Sequence, residues 1–192
     1  SKPATSRGAG AYTALTEVYS PTMMAISRLN IPVVTAVNGA AAGIGASLAL
    51  AADFVVAARS AYFLEAFVNI GLVPDGGATW MLTRLVGKAR ATEMMMLGER
   101  PGPEEAEAWG LIHKAVDDAD LMPQATALAE RLAAGPTRAL GLIRQGIARA
   151  MEQSYAEGLL MEATHQMMAG DTADAMEGGM AFLQRRKAEF KG

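Results

Sequence analysis

The stretch from residue 31 to 63, IPVVTAVNGAAAGIGASLALAADFVVAARSAYF, carries the pattern that decides the fold. It opens with a short run rich in β-branched side chains, which predicts a buried strand over Ile31–Val37. Glycines and alanines over Gly39–Gly45 then predict a tight turn, and Ala46–Ala52 predicts a short apolar helix. A second strand is predicted over Asp53–Ala58. This order of strand, turn, helix and strand is typical of an α/β protein with parallel strands.

The alternation extends outward from this stretch and ends in a long helical segment. Apolar residues at helical spacing predict a helix over Tyr12–Leu29 that Pro21 kinks or divides, and Ala61–Phe67 is predicted as a third strand. The later predicted elements are helices over Ala78–Val86, Ala89–Leu97 and Pro103–Trp109, a strand over Leu111–Val116, and helices from Asp117 onward. We therefore predict a strand-and-helix core over residues 1–116 and a helical region over residues 117–192. The methionines of that region, which fit either a core or an oligomer interface, are Met161, Met167, Met168, Met176 and Met180.

Composition excludes several classes of function. The net charge of −3 and the absence of a basic run interleaved with aromatics argue against a nucleic-acid partner. The chain has no cysteine, which excludes disulfides, thiolate catalysis and Cys-ligated zinc. Its two histidines, His113 and His165, are far apart in sequence, so no metal site is expected. Residues 1–10 lack the layout of a signal peptide, and we expect a cytoplasmic protein.

An uncharged stretch from Leu29 to Ala52 is long enough to cross a bilayer. It contains Pro32, however, and its Asn38-Gly39 pair is typical of a turn. A strand, a tight turn and a buried helix explain the stretch better than a membrane span does. We therefore expect no association with a membrane.

Two motifs are candidates for chemistry. In the first, Asn38–Ser47 (NGAAAGIGAS), a strand runs into a glycine-rich turn that opens an apolar helix. Backbone N–H groups without partners collect at a helix N-terminus, and the helix dipole favours negative charge there, so this turn is suited to bind a phosphate or an oxyanion. Close packing of the helix on the strand is the alternative explanation of the glycines. Gly43-Ile44-Gly45 lacks the third glycine of a dinucleotide-binding fingerprint.

The second motif is Gly71–Gly77 (GLVPDGG), which places Asp75 between a proline and two glycines. An aspartate in this context is commonly a turn residue. The alternative is a catalytic carboxyl group whose pKa is raised by apolar neighbours, for which Ile70, Leu72 and Trp80 are available. Taken alone, the motif leaves both interpretations open.

Together and in this order, the motifs resemble the crotonase superfamily of enoyl-CoA hydratases and isomerases. The similarity runs from about Tyr12 through VNIGLVPDGGATW to the tail EGGMAFLQRRKAEF. It implies a crotonase-like α/β spiral of strand–strand–helix turns, incomplete at the N-terminus, followed by a helical trimerisation region. It also implies an acyl-CoA thioester as the substrate, no cofactor beyond the coenzyme A of that substrate, and a homotrimer or a dimer of trimers.

In this superfamily two backbone N–H groups hold the thioester oxygen. The resemblance places the second of them on Ile44, between the substrate-binding residues Gly43 and Gly45. The segment that supplies the first donor has no counterpart here, because SKPATSRGAGAY does not match it. The residues implied to line an acyl pocket are Phe67 and Trp80, for which a plain core position is an equal alternative. The residues considered for contact with the CoA nucleotide of a neighbouring subunit are Phe182 and Arg185.

The hydratases of the superfamily use two glutamates, whose positions fall here on Ser47 and Phe67. Neither side chain is a general acid or base at neutral pH, so water addition is disfavoured. Glu65 is nearby, but we expect alternation along a strand over residues 61–67 to turn it away from the site. The isomerases instead place a carboxylate in the loop that holds Asp75. The VPDGG context is similar to that of the phenylacetate-pathway isomerases, which convert a ring epoxide of phenylacetyl-CoA to an oxepin-CoA and shift enoyl double bonds.

The resemblance therefore implies an acyl-CoA isomerase in which Asp75 moves a proton next to the thioester. The N–H of Ile44 stabilises the enolate oxygen, and a single carboxylate suffices because the reaction consumes no proton. Two rival hypotheses stay open. One is a hydratase or another crotonase activity, and the other is a catalytically weak acyl-CoA-binding subunit without the first donor.

Overall fold

A computed structural model describes residues 6–192, and the described chain begins with one helical run. The parts of this run are α1 (Arg7–Ala14), a π-helical segment (Leu15–Tyr19) and α2 (Ser20–Ser27). Pro21 has no N–H group, and its ring crowds the carbonyl four residues earlier, so a wider turn ahead of it lets the helix continue. The predicted helix over Tyr12–Leu29 thus starts earlier than expected, and Pro21 does not divide it.

Short parallel strands form two sheets within residues 34–116. The elements are β1 (Val34–Val37), β2 (Ala40–Ala42), α3 (Ile44–Leu50), β3 (Phe54–Ala58), β4 (Tyr62–Leu64) and β5 (Lys114–Val116). β1 pairs with β3 and β3 pairs with β5, all in parallel, while β2 pairs in parallel with β4. Successive strands therefore alternate between the two sheets before each helical segment. This arrangement is the α/β architecture with parallel strands that the sequence predicts.

The predicted turn over Gly39–Gly45 contains a strand that the sequence pattern did not indicate. Ala40 lies opposite Tyr62 and Ala41 opposite Phe63 in the pairing of β2 with β4. Ala41 is buried, so its methyl group belongs to the core. Alanine has a low preference for strands, and pairing with β4 rather than intrinsic propensity therefore makes this segment extended.

Helices follow the strands and close the core of this part of the chain. They are a 3₁₀ turn (Val68–Ile70), α4 (Ala78–Leu85), α5 (Gly87–Thr92) with a π-helical continuation (Glu93–Leu97), and α6 (Pro103–Ala108). α6 begins with Pro103, followed by Glu104 and Glu105 in its first turn, as predicted. The buried apolar side chains of the core include Val37, Leu50, Val55, Phe63, Leu82, Met94 and Leu111.

The described chain divides into two compact units. The first comprises the chain up to residue 27 together with residues 34–125, and it holds both sheets. The second comprises residues 28–33 and 126–192. Its helices are the end of α7 (Leu121–Ala133), α8 (Thr137–Ala150), α9 (Tyr155–Gly170) and α10 (Ala173–Gln184).

The short segment 28–33 belongs to the second unit because it packs along α8. The Arg144 guanidinium donates a hydrogen bond to the Leu29 carbonyl at 2.8 Å. A Cβ atom at Gly141 would lie 2.1 Å from the Asn30 carbonyl oxygen, so only glycine lets the segment approach the helix this closely. Among the methionines of this unit, Met161 is buried, whereas Met167, Met176 and Met180 are exposed.

Within residues 6–192, no helix has the length and apolar character needed to cross a membrane. The uncharged stretch from Leu29 to Ala52 instead contains β1, β2 and α3, as its turn residues predict.

Candidate active site

Strand pairing brings the two sequence motifs next to each other. After β2, the Gly43 amide donates a hydrogen bond to the Leu64 carbonyl at the end of β4, at 2.8 Å. Gly43 has φ 54° and ψ −127°, a conformation that residues with a side chain rarely adopt. A Cβ atom there would lie 3.4 Å from Cζ of Phe67. The chain therefore turns from β2 into α3 at this glycine, and the Phe67 ring packs against the turn.

The first turn of α3 presents backbone donors. The Gly43 carbonyl accepts hydrogen bonds from the amides of Ala46 at 2.9 Å and Ser47 at 3.2 Å. The amides of Ile44 and Gly45 precede these, at positions for which a helix supplies no intrahelical acceptor. A Cβ atom built on Gly45 would meet no atom within 4 Å, so there is open space beside it. The predicted oxyanion donor, the N–H of Ile44, lies at the mouth of this turn.

The Asp75 loop packs directly on the same turn. Gly76 has φ +60°, and a Cβ atom there would lie 2.4 Å from Cδ1 of Ile44 and 2.8 Å from Cβ of Ser47. The hydroxyl of Ser47, which is wholly buried, donates a hydrogen bond to the Asp75 carbonyl oxygen at 2.9 Å. The two motifs are thus held together by a hydrogen bond and by a contact that only glycine permits.

The Asp75 carboxyl group is half-buried and only partly satisfied. Its Oδ1 atom is buried, with no hydrogen-bond partner in the described part of the chain. Burial raises the pKa of this carboxyl above the usual value for aspartate, because desolvation disfavours the charged form. A carboxylate in such surroundings binds a proton more readily, which suits a group that must take up and return one.

Glu65 is a functional candidate that the sequence did not indicate. Its side chain is wholly buried, and neither of its carboxyl oxygens has a hydrogen-bond partner within residues 6–192. Desolvation and, second, the negative charge of Asp75 raise the pKa of Glu65 to about 7. The prediction that Glu65 turns away from the site is therefore wrong. Glu65 directly follows β4 and lies two residues after buried Phe63. Side chains two residues apart in an extended segment lie on the same side, so a strand over residues 61–67 puts Phe63, Glu65 and Phe67 on one side. This alternation is the sequence signal that predicts a buried Glu65.

The remaining predicted site residues have different surroundings. Trp80 is 42% exposed on α4, and the contact described for its ring is with the Arg84 guanidinium, 4.1 Å from the ring centroid. Its role in an acyl pocket stays a prediction. Phe182 is 83% exposed and Arg185 ends α10 with φ 53°; both belong to the second unit. Their contact with a CoA nucleotide also stays a prediction.

No cluster of metal-ligating side chains marks the site within residues 6–192. Among the described residues, no three His, Asp or Glu side chains gather in the way that a metal ion requires. A cavity of about 260 Å³ lies in the second unit, lined by residues of α8 and α9 that include Arg149 and His165, and it contains none of the predicted site residues. The candidate site is therefore defined by the Ile44 turn and the two carboxyl groups.

Comparison with known proteins assigns the family. The family model described as Enoyl-CoA hydratase/isomerase matches residues 2–192. The chain belongs to this family. The fold, the glycine-rich turn at Gly43–Gly45 and the loop of Asp75 are thus those of an enoyl-CoA hydratase/isomerase family member.

Two relatives within this family are equally similar in sequence. "1,2-Epoxyphenylacetyl-CoA isomerase" of Escherichia coli K12 is 46% identical over 91% of this chain and 66% of its own length. A protein of Rhodobacter capsulatus named "Probable enoyl-CoA hydratase" is also 46% identical, over 94% of this chain and 70% of its own length. The chain therefore spans about two thirds of the length of these relatives.

Solved structures of the family share the fold. An enoyl-CoA hydratase from Polaromonas sp. JS666 matches with a TM-score of 0.90 and 34% identity, over 97% of this chain and 72% of that one. An enoyl-CoA hydratase from Bacillus anthracis matches with a TM-score of 0.90 and 32% identity, over 95% of this chain and 70% of that one. The predicted crotonase-like α/β fold is confirmed.

Proposed function

We propose that this member of the enoyl-CoA hydratase/isomerase family is an acyl-CoA isomerase, which moves a proton and a double bond next to a CoA thioester. The observation that supports the proposal most directly is the contact between the Asp75 loop and the first turn of α3. A half-buried carboxyl group with a raised pKa lies in the residue next to Gly76, which touches Ile44. Base and oxyanion donor thereby share one small region.

The reaction needs one base and one stabilised oxygen. The Asp75 carboxylate takes a proton from C2 of a 3-enoyl-CoA, and the electron pair of the broken C–H bond moves toward the thioester oxygen to give a dienolate. The N–H of Ile44 donates a hydrogen bond to that oxygen, and a donor of this kind typically lowers the barrier by about 3 kcal/mol. Asp75 then returns the same proton to C4, which yields the conjugated 2-enoyl-CoA. No proton is gained or lost, so a single carboxylate completes the cycle.

The finer assignment is 2-(1,2-epoxy-1,2-dihydrophenyl)acetyl-CoA isomerase. It is supported by the 46% identity to the Escherichia coli protein that carries this activity in its name. The substrate is then an acyl-CoA with an oxygen-bearing ring, and phenylacetate degradation is the corresponding process.

An enoyl-CoA hydratase is the second candidate, since the Rhodobacter capsulatus relative is equally similar. Water addition is less favoured by the side chains present. The Ser47 hydroxyl is bonded to the Asp75 carbonyl, and the Phe67 ring packs on Gly43, so neither supplies an acid or base for water. Glu65 is wholly buried, and the hydratase glutamate positions implied by the resemblance fall on Ser47 and Phe67 instead. A weakly active acyl-CoA-binding subunit is the third candidate.

Replacement of Asp75 tests the isomerase directly. We expect Asp75→Asn to lower kcat for 3-enoyl-CoA isomerisation by about a hundredfold or more, because an amide cannot accept the proton. Formation of the conjugated thioester is followed by its ultraviolet absorbance, and the matched control is Asp120→Asn, an exposed aspartate. Isomerisation that survives Asp75→Asn excludes this base. Hydration that survives it supports the hydratase, and acyl-CoA binding without turnover in the unsubstituted protein supports the binding subunit.

The proposed assembly is a homotrimer or a dimer of trimers in the cytoplasm. It is supported by large apolar side chains exposed on the last two helices of the second unit, namely Leu160, Met167, Met176, Met180 and Leu183. Coenzyme A enters only as part of the substrate in this proposal.

A further inference from the structure

The proposed reaction uses one carboxyl group, yet the site contains two. Glu65 is wholly buried, and both of its carboxyl oxygens are without a hydrogen-bond partner in the described chain. Buried polar groups in proteins are nearly always hydrogen-bonded, and a buried carboxylate without partners is costly in its charged form. A glutamate is therefore an unfavourable choice for a plain core position, and its presence calls for another explanation.

The position of Glu65 in the chain places it next to the turn that carries Ile44. It directly follows Leu64, whose carbonyl accepts the hydrogen bond from Gly43 at the turn into α3. In the first turn of α3, which follows Gly43, the Ser47 hydroxyl donates a hydrogen bond to the main-chain carbonyl of Asp75. The negative charge of Asp75 raises the pKa of Glu65 further, beyond the effect of its burial, so the two carboxyl groups are close enough to interact.

The Asp75 and Glu65 carboxyl groups differ in solvent exposure, and this difference gives them separate roles. Asp75 is partly exposed, so solvent stabilises its charged form, whereas Glu65 is sealed from solvent and favours its neutral form. Two carboxyl groups that interact in this way lose their protons in two separate steps. The first step leaves the charge on Asp75, and the second adds a charge on Glu65.

We propose that Glu65 is a positioning residue that sets the base strength of Asp75 in the isomerase reaction proposed above. While Glu65 keeps its proton, the pair carries a single negative charge, on Asp75. When Glu65 is ionised, a second negative charge beside Asp75 makes Asp75 bind the migrating proton more tightly. The coupling is reciprocal, because each group changes the proton affinity of the other by the same factor.

The pH dependence of kcat/KM tests this role. Asp75 becomes a stronger base as Glu65 ionises, so we expect the profile of the unsubstituted protein to rise a second time, with a midpoint at about pH 7. The expected rise is roughly threefold, because a stronger base transfers protons faster by Brønsted behaviour. In Glu65→Gln the second rise of kcat/KM disappears. The first rise, at lower pH, reflects ionisation of Asp75 and is retained. Glu105→Gln, an exposed glutamate on α6, retains both rises as the matched control.

A second measurement is independent of activity. Carbon-detected NMR titration of side-chain carboxyl groups follows Glu65 itself, with Glu65→Gln assigning the signal. Its midpoint near pH 7 is expected to fall in Asp75→Asn, since the neighbouring charge is gone, but to stay above the usual value for glutamate because burial persists. A merely structural glutamate would leave the Asp75 titration and the rate profile unchanged.

The outcomes separate the two proposals. Identical rate profiles for Glu65→Gln and the unsubstituted protein, or a Glu65 midpoint that Asp75→Asn does not move, overturn the role of Glu65. Absence of isomerisation in the unsubstituted protein overturns the proposed function instead, and the NMR titration still decides whether the two carboxyl groups are coupled. If Glu65→Gln does not fold, the test is whether any glutamate signal with a midpoint near pH 7 shifts down in Asp75→Asn, and the absence of such a signal overturns the role.

Discussion

At the scale of single residues, the site depends on two acids of the same chemical type in different surroundings. Asp75 is half-buried and Glu65 is wholly buried. Burial raises the pKa of both carboxyl groups, but the charge of Asp75 adds to the effect on Glu65. Surroundings of this kind, rather than the identity of the side chains, assign separate roles to paired carboxyl groups in enzymes.

Gly76 lets the Asp75 loop lie directly against the first turn of α3. In Gly76→Ala the new methyl group would overlap Ile44 and Ser47, and the backbone would also be strained at φ +60°. We expect a loss of about 1–3 kcal/mol in the free energy of unfolding and a lower kcat, because the loop must move away from α3. Chemical denaturation and steady-state kinetics measure the two effects.

Gly110 provides the matched control for this substitution. It has a similar φ of +75°, but a Cβ atom there would meet nothing within 4 Å. Gly110→Ala is therefore expected to cost only the backbone strain, roughly 1 kcal/mol, with kcat unchanged. Equal kcat values for the two variants would contradict the importance of the contact between Gly76 and α3.

The sequence identified some of these residues and missed others for physical reasons. Asp75 and Ile44 lie in short motifs whose glycines demand particular backbone conformations, and such local constraints are visible in a sequence. Glu65 has no local signature. Its buried position follows from the pairing of β4 with β2, and its raised pKa follows first from that burial and second from the charge of Asp75 in the next loop.

At the scale of elements, α9 has the most complete N-terminal cap. The Ser154 hydroxyl accepts a hydrogen bond from the Glu157 amide at 3.4 Å, and the Glu157 carboxylate accepts one from the Ser154 amide at 2.8 Å. Ser154→Ala is expected to lower the free energy of unfolding by about 1 kcal/mol, because the first turn loses an acceptor. Thr164→Ala, which removes an exposed hydroxyl inside the same helix, is expected to change it little. Urea denaturation of both variants measures the difference, and equal stabilities would contradict the cap.

Elements were predictable where the pattern is local and were missed where tertiary contacts decide. The sequence predicts β1, β3 and α3 because each of them coincides with a short apolar run. β2 consists of three alanines, which have no strand preference, and exists because it pairs with β4. The π-helical segments Leu15–Tyr19 and Glu93–Leu97 have no periodicity distinct from that of an α-helix in so few residues.

At the scale of the whole molecule, alternation between two sheets explains why distant motifs meet. The passes β1–β2 and β3–β4 each place one strand in each sheet before a helical segment, so the ends of β2 and β4 lie side by side. The turn after β2 carries Ile44, and the segment after β4 carries Glu65 and then Asp75. Parallel pairing therefore converts a separation along the chain into a shared site.

Glu65 also makes the stability of the whole molecule depend on pH. Its pKa in the folded protein is about 7, against 4.5 for an unperturbed glutamate, so the folded state keeps a proton that the unfolded state releases between these values. The stabilisation is fully present below pH 4.5 and is lost as the pH rises through 7, by up to about 3 kcal/mol. Asp75, whose pKa is also raised, acts in the same direction.

Thermal unfolding between pH 5 and pH 8 isolates this effect. The pKa of Glu177 is lowered to about 2 by its hydrogen bonds with Arg186, so Glu177 loses its contribution only in strong acid, outside this window. We expect the midpoint Tm of the unsubstituted protein to fall across the window, and the fall to be much smaller in Glu65→Gln because glutamine does not ionise. Glu105→Gln should fall as the unsubstituted protein does. An equally large fall of Tm in Glu65→Gln would contradict this expectation. It would show that Glu65 is already ionised at pH 5, because a carboxyl group that is charged from pH 5 to pH 8 cannot make Tm depend on pH.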